Sequence, residues 1–302
     1  MNQIEQLAQT AGRLGCDVSR DEPMSRHTTF KIGGPADLFI KVYGRDSLRE
    51  LYRAANALGV PVLVIGNGSN MLVSDEGIRG AVVSLAGDFC AIKRIGETGI
   101  ECGAGATLAA LCGFAKENSL TGLEFAWGIP GGAGGAAFMN AGAYDCVMQN
   151  VLTGCTHITK AGEIGALAGE ELKLGYRRSA YSENGFTILS LIFKLEKGNK
   201  EKIEETMNEL FRRRKSKQPL ELPSAGSVFK RPAGHFAGAL IEQCGLKGTR
   251  VGGAMVSEKH AGFIVNTGGA TCRDVLDLID RIQKTVLEQT GVALECEVKI
   301  FG

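Results

Sequence analysis

G-I-P-G-G-A-G-G-A-A-F-M-N-A-G-A-Y, residues 128–144, holds eleven Gly or Ala in seventeen positions. Glycine costs backbone entropy, so crowding it into one stretch marks close backbone approach or positive φ. Two readings stand side by side. Successive glycine N–H groups can curl into a concave nest that binds an anion such as a phosphate, or the run is a tight turn that lets two elements pack closely. The spacing is neither G-x-G-x-x-G behind a strand nor G-x-x-x-x-G-K-[ST], so the Rossmann and Walker mechanisms do not transfer. A phosphate-cradling loop of another type is the reading carried outward from here.

A second cluster lies upstream. P-V-L-V-I (61–65) reads as a buried strand that runs directly into G-N-G-S-N (66–70). Backbone donors and small polar side chains at a strand's end suit a ligand in an α/β fold. Asn-Gly is also the strongest short hairpin signal, which is the competing reading. I-E-C-G-A-G-A-T-L-A-A-L (100–111) has Gly103 and Gly105 of a dinucleotide fingerprint but Leu108 at the third glycine position. It reads as strand, turn and a helix over 108–118 capped by Thr107.

Composition narrows the classes. The 302 residues are 44% hydrophobic and 22% charged with a net charge of +1, which gives no electrostatic footprint for nucleic acid or an anionic membrane. The 42 glycines favour tight turns and backbone-lined ligand contacts over a helical bundle. Nine cysteines form no C-x-x-C pair and no His partner at metal spacing, so no metal is expected. An odd number, mostly inside apolar runs, fits buried free thiols in a reducing compartment. With no apolar run of membrane length and no signal-peptide h-region at the N-terminus, the expected location is cytoplasmic.

In chain order, residues 3–15 read as an amphipathic helix, Ser19–Arg26 as a polar link, 37–42 as a strand and 47–58 as a helix. Strands follow at 81–85 and 91–95, a hairpin at 151–159 and 163–168, and a strand at 186–195. His27, beside Thr28, reads as a structural hydrogen-bonding residue. The arginine pair in L-K-L-G-Y-R-R-S-A-Y (172–181) could fork onto a carboxylate or phosphate, or simply face solvent. Composition shifts near residue 198, where a domain boundary is placed. The helix over 199–217 leads with acids and ends in bases, as its dipole prefers, and Arg212–Lys217 reads as a solvated helix end. A helix at 236–244, a strand at 260–266 and a helix opened by a Thr271–Asp274 capping box come next. Residues 292–301 alternate as a strand, with Glu295, Glu297 and Lys299 opposite its apolar face.

Taken together, H-T-T-F-K-I-G-G, G-N-G-S-N-M-L, G-I-P-G-x-x-G-x-x-x-x-x-N-A-G-A-Y, Y-R-x-S, P-S-A-G-S-V-F-K-R-P and L-E-x-E-V resemble the UDP-N-acetylenolpyruvoylglucosamine reductases. The six motifs stand in family order between His27 and Gly302. The resemblance implies an α+β fold: a two-lobed FAD-binding domain (PCMH / vanillyl-alcohol-oxidase-like) and a C-terminal α/β substrate-binding domain. It divides the chain into an N-terminal helix (1–19), FAD lobes at 20–95 and 96–198, and the substrate domain at 199–302. Noncovalent FAD is then held by Gly66, Asn67, Gly68, Ser69, Asn70, Ile129, Pro130, Gly134, Gly135, Phe138 and Gly142, and NADPH is the co-substrate. The UDP-sugar is met by Tyr144, Lys217 and Arg231. The implied reaction adds hydride from flavin N5 to C3 of the enolpyruvyl ether and a proton from Ser227 to C2. Arg177 stabilises the charge that grows at C2 and the carboxylate, with Glu297 as its partner. Lys230 is close enough in sequence to suspect of assisting Ser227. No nucleic-acid, membrane or obligate protein partner is implied.

The chain departs from one subgroup. The interval between Tyr176 and the strand beginning at 186 leaves no room for the substrate-covering tyrosine loop of some members, so no lid tyrosine is transferred. The alternative reading keeps the FAD fold but makes it an oxidase or dehydrogenase acting on a hydroxy acid or sugar. A non-catalytic nucleotide-binding module is the third, and it leaves the Ser227 and Glu297 motifs unexplained.

Overall fold

In the computed structural model, which describes residues 2–302, apolar side chains gather into two separate cores, and the chain divides with them. The first unit comprises residues up to Arg20, Asp37–Asn67 and Gly80–Arg213. Its opening helix, Gln3–Arg13, starts where the Asn2 side chain accepts the Glu5 N–H at 2.8 Å, and it buries Leu7, Ala8 and Ala11. The helix Arg45–Leu58 buries Leu48, Leu51, Tyr52 and Ala55 and stops at Gly59, whose φ of 67° provides the left-handed C-cap.

Two sheets frame this unit. One runs in the order Asp17–Pro23, Pro35–Val42, Ile78–Leu85, Val62–Ile65, with the last two strands parallel. The other is antiparallel throughout, in the order Ile164–Ala168, Leu152–Ile158, Thr187–Lys194, Gly99–Gly103, Ile92–Ile95. Thr187–Lys194 holds the centre and is buried almost end to end, which is why it reads as an unbroken apolar run. Asp17–Pro23 is the opposite case. It is an edge strand with no fully buried residue, so its polar sequence reads as a link rather than a strand.

The second unit comprises Asp21–Ala36, Gly68–Arg79 and Arg214–Gly302. Its antiparallel sheet has the order Ser224–Ser227, Phe263–Asn266, Ala254–Val256, Arg250–Val251. The helix Cys272–Thr290 buries Val275, Leu278, Ile279, Ile282 and Val286. Its capping box is as the sequence predicts: Thr271 Oγ1 accepts the Asp274 N–H at 3.0 Å, and Asp274 Oδ2 accepts the Thr271 N–H at 3.0 Å.

The division is interleaved, unlike the contiguous segments read from the sequence. Thr29 Oγ1 donates to the Ser224 carbonyl at 2.7 Å, and Asn266 Nδ2 donates to the Phe30 carbonyl at 3.1 Å. Met71–Val73 pairs in parallel with Lys299–Phe301. Two segments of the expected 20–95 lobe therefore belong with the C-terminal residues, through partners about two hundred positions away in the chain.

Three local expectations are corrected. Of the predicted strand 292–301, only Lys299–Phe301 is regular; upstream, the backbone bonds go to single acceptors rather than to a ladder, and Ile300 is 51% exposed. The predicted solvated helix end contains buried Arg214, whose Nη1 donates to Gln218 Oε1 at 3.1 Å. All nine cysteines are free, as expected, yet Cys90 and Cys146 are exposed. Burial pushes the Cys102, Cys112 and Cys155 thiols up to about 12, which makes them inert packing residues. Among the described residues no His, Cys, Asp or Glu group is placed to hold a metal, and no helix is long and apolar enough to cross a membrane.

Candidate active site

The glycines of 128–144 divide between the two readings of that stretch. A Cβ at Gly134 would lie 2.8 Å from Ala104 Cβ, and one at Gly142 would lie 2.5 Å from Val147 Cγ1, so both serve close packing. The Ala133 and Gly134 N–H groups are spent on the Ala106 and Ala104 carbonyls at 2.8 and 3.0 Å. Gly134 thus has no donor left for a phosphate, contrary to the nest reading at that position. Gly66 and Gly135 behave differently, because a Cβ on either would meet nothing within 4 Å. A Cβ at Gly132 would lie 3.6 Å from Asn67 Oδ1, so the end of the strand Val62–Ile65 and the turn beginning at Gly131 come together with bare backbone. That surface fits an anionic group approaching to main-chain distance. Ile129 and Phe138 pack half-buried beneath it, and Pro130 is exposed.

The other half of the G-N-G-S-N cluster lies in the second unit. Gly68 has φ +60°, and a Cβ there would come within 2.1 Å of the His27 carbonyl. Its own carbonyl accepts the Thr29 N–H at 3.2 Å. The H-T-T and G-N-G-S-N motifs therefore exist partly for each other. His27 is structural, with Nε2 2.9 Å from Glu22 Oε1.

Tyr176 and Arg177 form the tip of a tight reversal in which Gly175 and Arg178 exchange backbone bonds of 3.1 and 3.3 Å. Arg177 sits at φ 55°, the left-handed region that glycine favours at the third position of such a turn. Its guanidinium carbon lies 5.4 Å from the Tyr176 ring centroid, and it is half-buried while Arg178 is exposed. The backbone thus distinguishes two arginines that look equivalent in sequence. Two buried polar side chains tie this turn to the glycine-rich stretch. Asn140 Nδ2 donates to the Gly175 carbonyl at 3.0 Å, and Ser179 Oγ donates to the Phe138 carbonyl at 2.8 Å. Neither emerges as a site residue from sequence, because their acceptors are main-chain atoms 35 and 41 positions away. Ser179→Ala strands a buried carbonyl and is expected to cost about 1–2 kcal/mol. Urea unfolding measures this, and an unchanged midpoint would show that the tie holds nothing.

The backbone around Ser227 and the backbone at Glu297 are joined in the second unit although they are 70 positions apart. The Glu297 N–H donates to the Val228 carbonyl at 2.7 Å, and the Lys230 N–H donates to the Glu295 carbonyl at 2.8 Å. Ser227 Oγ donates to the Phe229 carbonyl at 3.3 Å. Asn70 Nδ2 reaches the Glu297 carbonyl at 3.2 Å, so the last residue of G-N-G-S-N anchors the acidic residue as well. Glu297 is half-buried, whereas Glu295 is exposed and pairs with Lys230 Nζ. Lys217, at the end of the helix Lys200–Lys217, is exposed. Arg231 stacks its guanidinium 4.0 Å from the Phe236 ring centroid. Tyr144, at φ 54°, donates its hydroxyl to the Leu210 carbonyl at 2.7 Å.

The first unit thus presents bare glycine backbone at a strand end, and the second carries Ser227 and Glu297. Residues 36–167 match the FAD binding domain family, and residues 218–301 match the UDP-N-acetylenolpyruvoylglucosamine reductase C-terminal domain. The chain is 48% identical to the UDP-N-acetylenolpyruvoylglucosamine reductase of Lachnoclostridium phytofermentans, over 94% of this chain and 93% of that one. Identity to the Caldanaerobacter subterraneus protein of the same name is 49%, over 93% of each. The crystal structure of UDP-N-acetylenolpyruvylglucosamine reductase from Thermus caldophilus superposes with a TM-score of 0.81 at 38% identity, covering 95% of this chain and 99% of that chain. The chain belongs to the UDP-N-acetylenolpyruvoylglucosamine reductase family.

Proposed function

We propose that the protein reduces the enolpyruvyl group of UDP-N-acetylglucosamine enolpyruvate to the lactyl ether with NADPH, giving UDP-N-acetylmuramate for peptidoglycan precursor synthesis in the cytoplasm. The observation that supports this reading is the 2.7 Å bond from the Glu297 N–H to the Val228 carbonyl, which ties the L-E-x-E-V backbone to the residue after Ser227. FAD, when bound, would supply two-electron hydride chemistry between NADPH and the substrate. Gly66, Asn67 and Gly135 offer the exposed backbone that such a group requires.

The chain's own residues do the rest. As C3 gains hydride, negative charge builds at C2 and spreads into the carboxylate. Arg177 places a fixed cation where that charge grows. Glu297 polarises the substrate toward the same state. Ser227 Oγ gives its proton to C2, which completes addition across the double bond. An alcohol is a weak acid, and the transfer succeeds because the enolate-like carbon is strongly basic. Lys217, Tyr144 and Arg231 bind the UDP-sugar, Lys217 as a point charge for the diphosphate. Tyr144 must first give up its bond to the Leu210 carbonyl. No nucleic acid, membrane or obligate protein partner is needed.

Glu297→Gln keeps the backbone bonds to Val228 and Asn70 and removes only the charge. It is expected to retain FAD and its reduction by NADPH while losing about 10²-fold or more in substrate reduction. Product formation by mass spectrometry and flavin absorbance read the two effects separately. Loss of FAD from this variant would make Glu297 a structural residue and remove it from the reaction.

A further inference from the structure

The Ser227 hydroxyl has a neighbour outside every motif above. A Cβ built on Gly262 would lie 3.4 Å from Ser227 Oγ and 3.0 Å from His260 Cε1, so the serine and the imidazole border the same space. The contact is built into the strand turn. The Gly262 N–H donates to His260 Nδ1 at 3.1 Å, and the Gly262 carbonyl accepts the Val228 N–H at 2.9 Å. The Val228 carbonyl in turn accepts the Glu297 N–H at 2.7 Å. One line of main-chain hydrogen bonds therefore runs from the imidazole through Gly262 and Val228 to Glu297, passing directly beside Ser227.

The backbone of His260 is held and its ring is packed at the edges. Ser257 Oγ accepts the His260 N–H at 3.3 Å, the His260 carbonyl accepts the Phe263 N–H at 3.0 Å, and the Phe263 ring lies edge-on at 5.1 Å. Gly238, in the helix Ala237–Gln243, approaches the other edge, where a Cβ would be 3.1 Å from Cε1.

We infer that His260, as the neutral tautomer with a free Nδ1 lone pair, is a positioning residue for the Ser227–Glu297 pair, and that its protonation releases the pair. The inference rests on the proposed roles of Ser227 and Glu297. Its chemistry is that of a single acceptor. Neutral His260 with its proton on Nε2 accepts the Gly262 N–H; once Nδ1 is protonated, two donors face each other and that bond is lost. The charged groups around the ring leave it neutral at pH 7. Glu242 and Lys247 pair with each other, Lys259 lies 3.5 Å from Glu221, and Glu258 is turned toward Gly248. Burial is the largest influence and holds the imidazole below its ordinary value of 6.5; Lys247 acts in the same direction, while a hydrogen bond to the backbone of His260 itself and Glu242 oppose it. Because the folded-state value is depressed, the arrangement is whole above pH 6.5 and is lost as pH falls through the folded-state value.

The test compares His260→Asn and His260→Ala with the wild-type holoenzyme. Asn Oδ1 can occupy the Nδ1 position and accept the Gly262 N–H without titrating, whereas Ala cannot. Stopped-flow reoxidation of the NADPH-reduced enzyme by UDP-N-acetylglucosamine enolpyruvate is followed from pH 5 to 8. The wild type is expected to slow on the acid side. His260→Asn should keep the wild-type rate at pH 8 and lose that acid limb. His260→Ala should be about tenfold slower throughout, as expected for one lost hydrogen bond. Flavin reduction by NADPH should be the same in all three. An acid limb that persists in His260→Asn, or an alanine variant as fast as wild type, overturns the inference. Ser227→Ala is run alongside. If it forms UDP-N-acetylmuramate at the wild-type rate the underlying proton-donor reading has failed; if product formation is blocked while both His260 variants match wild type, only the positioning role has failed.

Discussion

Ser227→Ala is expected to be reduced by NADPH at the wild-type rate and then to turn over about 10³-fold more slowly, the usual scale for removing a general acid. The split follows from the order of events, since the proton is needed only after hydride has reached the substrate. The structure makes the variant clean. Ser227 Oγ has one main-chain acceptor, the Phe229 carbonyl at a long 3.3 Å, so little stability depends on it. The backbone bonds that place the residue, from Val228 to the Gly262 carbonyl and from Glu297 to the Val228 carbonyl, do not involve the side chain. Rapid-mixing absorbance at the flavin band separates the two half-reactions. Near-normal turnover would remove Ser227 from the role of donor, and loss of both half-reactions would point to a folding defect.

The second large effect is predicted at Arg177, where stability and activity should move in opposite directions. Its φ of 55° costs an L-residue about 1–2 kcal/mol relative to a residue without a Cβ. Arg177→Gly relieves that strain, against a smaller loss from the extra freedom of the unfolded chain, and should stabilise the protein by up to about 1 kcal/mol. The same substitution removes the cation proposed to face the developing carboxylate charge and should lower turnover by about 10²–10³-fold. Urea unfolding and steady-state kinetics on one preparation test both signs. If stability falls with activity, the left-handed arginine is not strain held for function, and its role in the reaction needs separate proof.

The fold was legible where one local pattern sufficed. The strand Thr187–Lys194 and the helix Cys272–Thr290 announce themselves, one as a buried apolar run and the other as a capping box ahead of an amphipathic stripe. Asp17–Pro23 did not, because an edge strand need not alternate. The C-terminal alternation is real, with Leu294 and Val298 buried, yet its hydrogen bonds are made singly with Val228 and Asn70, so the pattern overstated the strand.

The candidate site was legible only as motifs. Sequence pattern treats Glu295 and Glu297 alike, and also Arg177 and Arg178; the structure separates each pair by burial, ion pairing and backbone angle. Asn140 and Ser179 stand inside the N-A-G-A-Y and Y-R-x-S motifs, but their roles, like that of His260, are not legible there, since each acts through a main-chain group whose position depends on the finished fold. The glycine-rich stretch shows the limit most plainly. Composition allowed a nest or a packing turn; Gly134 and Gly142 serve packing, while Gly135 is open.

The measurement that tests the central claim is an anaerobic visible spectrum of the purified holoprotein, first titrated with NADPH and then mixed with UDP-N-acetylglucosamine enolpyruvate. The account predicts flavin bands that bleach with NADPH and return on adding the enolpyruvyl substrate, with one UDP-N-acetylmuramate formed per flavin reoxidised. Bands that bleach and stay bleached would contradict it, because the protein would then be a flavoenzyme whose electrons go to some other acceptor.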